Sequence, residues 1–260
     1  MSTWRIEQIG KKPKLHNPVF LEGLPGIGNV GKVAIDFIVD ELKAEKLYEI
    51  TSNTFPHSVF VKEDNLIELP KVEIFYKKLA GNDLLILGGD VQPIDEISSY
   101  DFSEKILDIV SEFDVKEIIT LGGIGLGEIP KKPKVYCTGN SLDLIKKYKD
   151  KNVQDKLYGV VGPIVGVSGL LLGLAARRKI KAVALLAETY GHPMYLGVKG
   201  VREILKVLNS KLHLGIKVDK LEKEIDYIEK QIIKRKEELS NVPQEGALKR
   251  TKKGETSYIG

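Results

Sequence analysis

A single cysteine, Cys137, stands among 260 residues, so no internal disulfide staples this fold. That usage fits a reducing cytoplasm, the expected location. An excess of one charge is missing too. The 40 basic and 36 acidic side chains leave a net +4, too little to argue for nucleic acid. Histidines number four, and no His-x-x-His, Cys-x-x-Cys or acid cluster has metal-ligand spacing. No cofactor or metal is therefore expected. No basic-then-apolar leader opens the chain, because Met1 to Leu15 is polar and charged. The one stretch of membrane-spanning length without charge, Tyr158 to Ala176, is broken by five glycines and Pro163. It reads as the end of a strand at Val160-Val161, then a buried helix with Ser168 as its N-cap, rather than a bilayer span.

What is present is ordinary for a folded protein: 42% hydrophobic and 29% charged residues, in a chain long enough for one large α/β domain and an appendage. The most informative segment runs from Val19 through Gly23-Leu24-Pro25-Gly26-Ile27-Gly28-Asn29-Val30-Gly31-Lys32. An apolar strand enters a glycine-dense turn and an amphipathic helix leaves it, carrying Val30, Val33, Ala34, Phe37 and Ile38. Gly26 to Gly31 fits G-x-G-x-x-G, and Gly26 to Lys32 fits G-x-x-x-x-G-K. Val33 occupies the position where a P-loop needs a hydroxyl for Mg²⁺, and no acid ends the second strand to hold a ribose. A tight turn with close helix–strand packing is the reading these residues favour over phosphate binding.

Strand and helix patterns then alternate. Strands are predicted at Val19–Leu21, Leu47–Thr51, Ser58–Lys62, Leu66–Leu69, Val72–Tyr76 and Asp83–Leu87, with a hairpin turn at Glu63-Asp64-Asn65. Further strands are predicted at Glu117–Leu121, Val135–Thr138 and Ala182–Leu186, and helices near Asp101–Phe113, Leu142–Tyr148, Ser168–Arg178 and Lys199–Leu208. Glycine turns at Gly26, Gly88, Gly122, Gly162 and Gly191 fall near the carboxyl rim of the strands, where ligands of such sheets bind. The expected class is α/β with a mixed, largely parallel sheet between helices. The expected organisation is a core over 1–215, an amphipathic helix over 216–240 and a basic tail over 241–260.

In that helix Val218, Leu221, Ile225, Ile228, Ile232 and Leu239 follow alternating three- and four-residue steps, a coiled-coil seam. Each aliphatic side chain is worth roughly 1.5–3 kcal/mol when buried, so this stripe calls for a partner surface: its own domain, a second copy or another protein. The chain closes on Tyr258-Ile259-Gly260, an aromatic–aliphatic pair after a polar, basic stretch. No set of nucleophile, base and oxyanion donors is legible. The rival reading is a small-molecule or nucleotide-binding enzyme using the glycine-rich rim, with Lys32, Asp90, Glu128 and His192 as its residues of interest.

Five ordered motifs extend the pattern: the Gly23 to Lys32 loop, Asp90-Val91-Gln92-Pro93, Leu121-Gly122-Gly123, Gly162 to Gly173, and Glu188-Thr189-Tyr190-Gly191. Together they resemble the proteasome assembly chaperone family in its archaeal, Pba-like branch. The residues carrying the match are Gly23, Pro25, Gly26, Gly28, Gly31, Gln92, Pro93, Gly122, Gly123, Gly162, Ser168, Gly169 and Glu188. The resemblance implies a three-layer α/β/α sandwich like that of nucleoside phosphorylases and peptidyl hydrolases, with no catalytic role. It also implies a homo-oligomer, or a complex with a paralogue, that binds 20S proteasome α-subunits as an assembly factor or ATP-independent activator. In that setting Tyr258, Ile259 and Gly260 are the docking residues, with Tyr258 one position earlier than in the hydrophobic–tyrosine–any ending of proteasome activators.

Overall fold

The structure, a computed structural model, describes residues 4–157, 162–193, 195–218 and 221. Strands β1 (Trp4–Gln8) and β2 (Val19–Glu22) lead into helix α1 (Val30–Leu42) and then β3 (Glu45–Ser52). A small hairpin, β4 (Phe60–Val61) with β5 (Ile67–Glu68), precedes β6 (Val72–Lys77) and β7 (Leu84–Gly89). Next come α2 (Glu96–Glu112), β8 (Glu117–Leu126), β9 (Val135–Gly139), α3 (Leu142–Tyr148) and β10 (Val153–Gln154). Helix α4 (Val167–Arg177), β11 (Lys181–Tyr190) and α5 (Val198–Leu212) complete the order.

Nine strands form one sheet in the order β1-β3-β6-β7-β2-β8-β11-β9-β10. β7, β2, β8 and β11 run parallel to one another, as do β9 and β10; the remaining neighbours are antiparallel. The sheet is mixed, but parallel pairs do not dominate it, contrary to the expectation of a largely parallel sheet. The cause is local. The link from β6 to β7 is too short for a crossover helix, and the link from β3 to β6 is taken up by the β4–β5 hairpin, so the chain doubles back.

Every residue of β2 and β7 is buried, as expected of parallel strands covered on both faces. Alternation along the strands sorts the core. Phe20, Leu85, Leu87, Ile118, Ala184 and Leu186 share one cluster with Phe102, Ile106 and Val110 of α2 and Leu171 and Leu174 of α4. Helices α1 and α5 pack on each other, α1 against β7 and β8 and α5 against β11. Arg178, just past α4, donates 2.8 Å to Asp108 and also bonds Glu104, tying that helix end to α2.

β1, α2, β8 and β11 depart most from the sequence reading, and the short β10 was not predicted. β1 was hidden by its polarity: four of its five residues are exposed, and only Trp4 turns inward. There the indole packs 4.9 Å from Phe102 and 5.5 Å from Phe55, and its Nε1 donates 2.7 Å to Asp101. Helix α2 begins at Glu96, five residues before the predicted start, because Asp95 caps it by accepting 2.9 Å from the Ser98 amide. β8 and β11 do not stop at Leu121 and Leu186 but pair with each other over all ten residues, through Leu126 and Tyr190.

The chain divides into two units, Met1–Val218 and Asp219–Gly260. Of the C-terminal stripe, Val218 and Leu221 are described and buried. Ile225, Ile228, Ile232 and Leu239 lie outside the described residues, as do Tyr258, Ile259 and Gly260, and Val160-Val161. Among the described residues no helix is long and apolar enough to cross a membrane.

The aromatic cluster gives a direct test of the core. Phe102→Ala removes the ring against which Trp4 and Phe55 pack, and should cost about 3–5 kcal/mol in urea unfolding. The sole tryptophan, Trp4, reports it, with emission shifted to the red in the variant's native state.

Candidate functional site

The carboxyl ends of β2, β7 and β8 meet at one rim, and the Gly23–Lys32 loop lies across it. A Cβ at Gly23 would sit 2.3 Å from the Gly31 carbonyl oxygen, and one at Gly31 would sit 2.3 Å from the Leu121 carbonyl oxygen. Both positions therefore need glycine so that backbone can touch backbone. Gly28 and Asn29 follow in left-handed conformation, with φ of 61° and 49°, and turn the chain into α1. Lys32 then points at Asp36, 3.0 Å away, and Asp90, 3.7 Å away.

Beside this loop opens a cavity of about 1050 Å³. It is walled by the loop itself, the end of β8, the Gln92–Tyr100 segment and the Gly162–Leu170 segment. Four sequence-distant motifs thus converge: Pro25, Gly26 and Gly31; Gln92 and Pro93; Gly122 and Gly123; Gly162, Ser168 and Gly169. Gln92 stitches them together. Its Nε2 donates 2.6 Å to the Pro25 carbonyl while its Oε1 accepts 3.2 Å from the Val167 amide. That second bond caps α4 from outside. Helix α4 starts at Val167 after Gly166, whose φ is 86°, so Ser168 is not the N-cap its sequence suggested. Gly23 and Gly28 do not line the cavity, and neither does Glu188, whose carboxylate accepts 2.9 Å from the Lys134 amide and 3.0 Å from the Tyr136 hydroxyl.

Released from capping, the Ser168 hydroxyl donates 3.1 Å to Glu22 Oε1, which also accepts 3.1 Å from the Leu24 amide. Glu22 is 0% exposed, at the last position of β2, and was not singled out from sequence. The signal that marks it is an acid directly ending an apolar run that enters a glycine turn. Its Oε2 has no hydrogen-bond partner, and neither does Oγ1 of Thr120, its register partner on β8. Burial pushes the Glu22 carboxyl up to about 7, against the opposing pull of the Ser168 and Leu24 hydrogen bonds.

Among the described residues no lysine, arginine or histidine lines the cavity, and the charged residues that do are Asp95 and Glu96. A phosphate there would find neutral amide and hydroxyl donors such as Gln92, Ser99, Tyr100 and Ser168 beside two acids, and no cation among the described residues. Lys32, Asp90, Glu128 and His192 do not line it either, and His192 instead stacks on Tyr190 at 5.7 Å. Ser168 has a carboxyl neighbour but no histidine on this wall. Cys137 is buried, and desolvation pushes its thiol up to about 12. Among the described residues no group of three potential ligands has the geometry to hold a metal.

A family model described as the PAC2 family matches residues 20–235. An uncharacterized protein of Methanocaldococcus jannaschii is 32% identical over 246 residues, covering 95% of this chain and 93% of that relative. The crystal structure of Pyrococcus furiosus PbaB, an archaeal proteasome activator, superposes with a TM-score of 0.83 at 33% identity. That match covers 91% of this chain and 100% of PbaB. Pyrococcus furiosus PbaA, an archaeal homolog of proteasome-assembly chaperone, gives a TM-score of 0.75 at 26% identity, over 92% of this chain and 94% of PbaA. The chain belongs to the PAC2 family, the one its ordered motifs resemble.

Glu22 makes stability depend on pH. Folded, it keeps its proton to about pH 7; unfolded, it releases it near 4.5. Between those values the native state binds more protons, so stability falls as pH rises through that window and stays lower above it, by roughly 3 kcal/mol at most. Glu22→Gln should flatten this slope. Urea unfolding at pH 5 and pH 8 is expected to show the variant gaining about 1–3 kcal/mol on the parent between the two.

Proposed function

We propose that this PAC2-family chain is a non-catalytic proteasome assembly chaperone or ATP-independent activator that binds the α-ring of the 20S proteasome. The observation that carries the reading is its likeness to PbaB, an archaeal proteasome activator, along the full length of that protein. The similarity to PbaA, a homolog of proteasome-assembly chaperone, points the same way. In this reading the core over 1–215 is a three-layer body, and the helix over 216–240 pairs with a second copy, a paralogue or the proteasome. The tail over 241–260 is the docking arm, with Tyr258 and Ile259 filling a pocket between α-subunits. The composition of the cavity supports a body without phosphate chemistry, because among the described residues no cationic side chain lines it.

Deleting Tyr258 to Gly260 is expected to abolish co-sedimentation of the full chain with a purified α-ring. Retained binding would reject the tail as the docking element.

A small-molecule enzyme stands second, favoured by the size of the cavity and by the buried Glu22 beside Ser168. Its nucleotide form is opposed by the acid-only charge of the walls. Thermal unfolding with AMP, ATP and adenosine should show no saturable shift. A shift that disappears in Lys32→Ala would instead favour this second reading.

A further inference from the structure

The central strand β8 has two edges with different fates. Along one, β11 pairs with all ten residues, Glu117 to Leu126. Along the other, β2 pairs only with Glu117 to Thr120 and then turns away at Glu22. Past that point Gly31 closes over the Leu121 carbonyl. Among the described residues, no strand and no loop backbone hydrogen-bonds this edge from Gly122 to Gly125. Successive residues of a strand direct their N–H and C=O to alternate edges, so two of these four face the open side.

An unpaired strand edge at the centre of a sheet is unusual, because strands left open invite another chain to pair. Here the edge does not face bulk solvent. Gly122 to Gly125 form one wall of the cavity; the missing Gly123 side chain admits the chain's own Ile27 carbonyl oxygen, 2.2 Å from where a Cβ would sit, so the room beside this wall is that of the cavity itself. The mouth is apolar and exposed: Val165 is 83% accessible, Ile94 64%, and Ile27 and Tyr100 about half. Clustered exposed apolar side chains around a concavity mark a protein-binding surface rather than free surface. At about 1050 Å³ the space lies at the top of the range for drug-sized ligands and suits a chain segment of several residues. The charged residues of the wall are acidic, Asp95 and Glu96, so the complementary occupant is apolar or basic and carries no acid.

We propose that this cavity is a strand-addition site: an extended, apolar segment of a partner protein, free of acidic side chains, pairs with the open edge of β8 between Gly122 and Gly125. Its backbone bonds the glycine edge, and its side chains pack among Ile27, Ile94, Tyr100 and Val165. The site lies on the globular body and is independent of the docking tail.

The test uses the full chain and a fluorescein-labelled heptapeptide, lysine–valine–threonine–valine–isoleucine–valine–lysine, with binding read by anisotropy. Saturable binding is expected. Methylating alternate backbone nitrogens keeps every side chain but removes edge donors, and should weaken binding at least tenfold. Glutamate in place of both lysines should weaken it comparably. The double substitution I94D/V165D alters only exposed positions and should also cost at least tenfold, with Trp4 emission unchanged. A photo-crosslinker in the peptide should label residues 122–125 or the facing walls. Deleting Tyr258 to Gly260 should leave peptide binding intact, which separates this site from the proposed tail. Absence of saturable binding, equal affinity of the N-methylated peptide, or crosslinks confined to other surfaces would each overturn the proposal.

Discussion

A methyl group at Gly31 would place its carbon 2.3 Å from the Leu121 carbonyl oxygen, closer than real Cβ contacts come, and a methyl at Gly23 would collide equally with Gly31. These two contacts let the loop after β2 lie directly on the end of β8, with no layer of side chains between. That stacking has three consequences. The first turn of α1 is pinned to the sheet, so its Lys32 reaches Asp36 and Asp90 instead of the cavity. The loop blocks β2 from continuing alongside β8, which frees the edge beyond Thr120. The Pro25 carbonyl is delivered to Gln92, whose other end caps α4. A phosphate-binding loop needs its amides turned outward toward a ligand. Here the glycines bring the loop backbone inward against β8.

Glu22 follows from the same arrangement. Because β2 ends where the loop begins, its last side chain points into the core near the start of α4 and is covered completely. An ionised carboxylate there would carry a heavy desolvation cost. Two donors, the Leu24 amide and the Ser168 hydroxyl, offset part of it, both to the same oxygen. The second oxygen faces a region where Thr120 also lacks a partner. Protonation is the physical answer, since a neutral carboxyl needs far less solvation, and it leaves a polar cluster whose charge changes near neutrality. The position rewards burial more than charge, which fits a structural acid better than a catalytic one.

How much of this is legible in the sequence depends on whether a residue's role is local. β2 and β7 announced themselves through continuous apolar runs, and the β4–β5 turn through Glu63-Asp64-Asn65, because those signals act over a few neighbours. The five ordered motifs were legible as a set, and four of them do meet at one cavity. β1 was not, because its only inward residue is Trp4 and its partners Phe55 and Phe102 are distant in sequence. Gly122 and Gly123 read as a turn, since glycine is a weak strand former. Full pairing with β11 overrode that preference. Ser168 has the composition of an N-cap, yet Gln92 arrives from 75 residues away to do the capping. Glu22 escaped notice for a similar reason. What makes it unusual is the tertiary burial of its side chain, which no window of neighbouring residues reveals.

The chemistry of the cavity then narrows what the body can recognise. Affinity for a phosphate or nucleotide requires positive potential, and the nearest lysine of the glycine motif is committed to two carboxylates outside the walls. With Asp95 and Glu96 as the charged lining, an anionic ligand would enter against repulsion, whereas an apolar segment meets no such barrier. Apolar side chains at the mouth would gain from being covered, at roughly 25 cal/mol per Å² removed from water. The open strand edge adds directional bonding that a small apolar molecule would leave unused. Selection by backbone bonds and apolar packing together suits a protein partner, and it also constrains how a chaperone body can handle another chain. It would hold an extended segment by its backbone and tolerate variation in side chains.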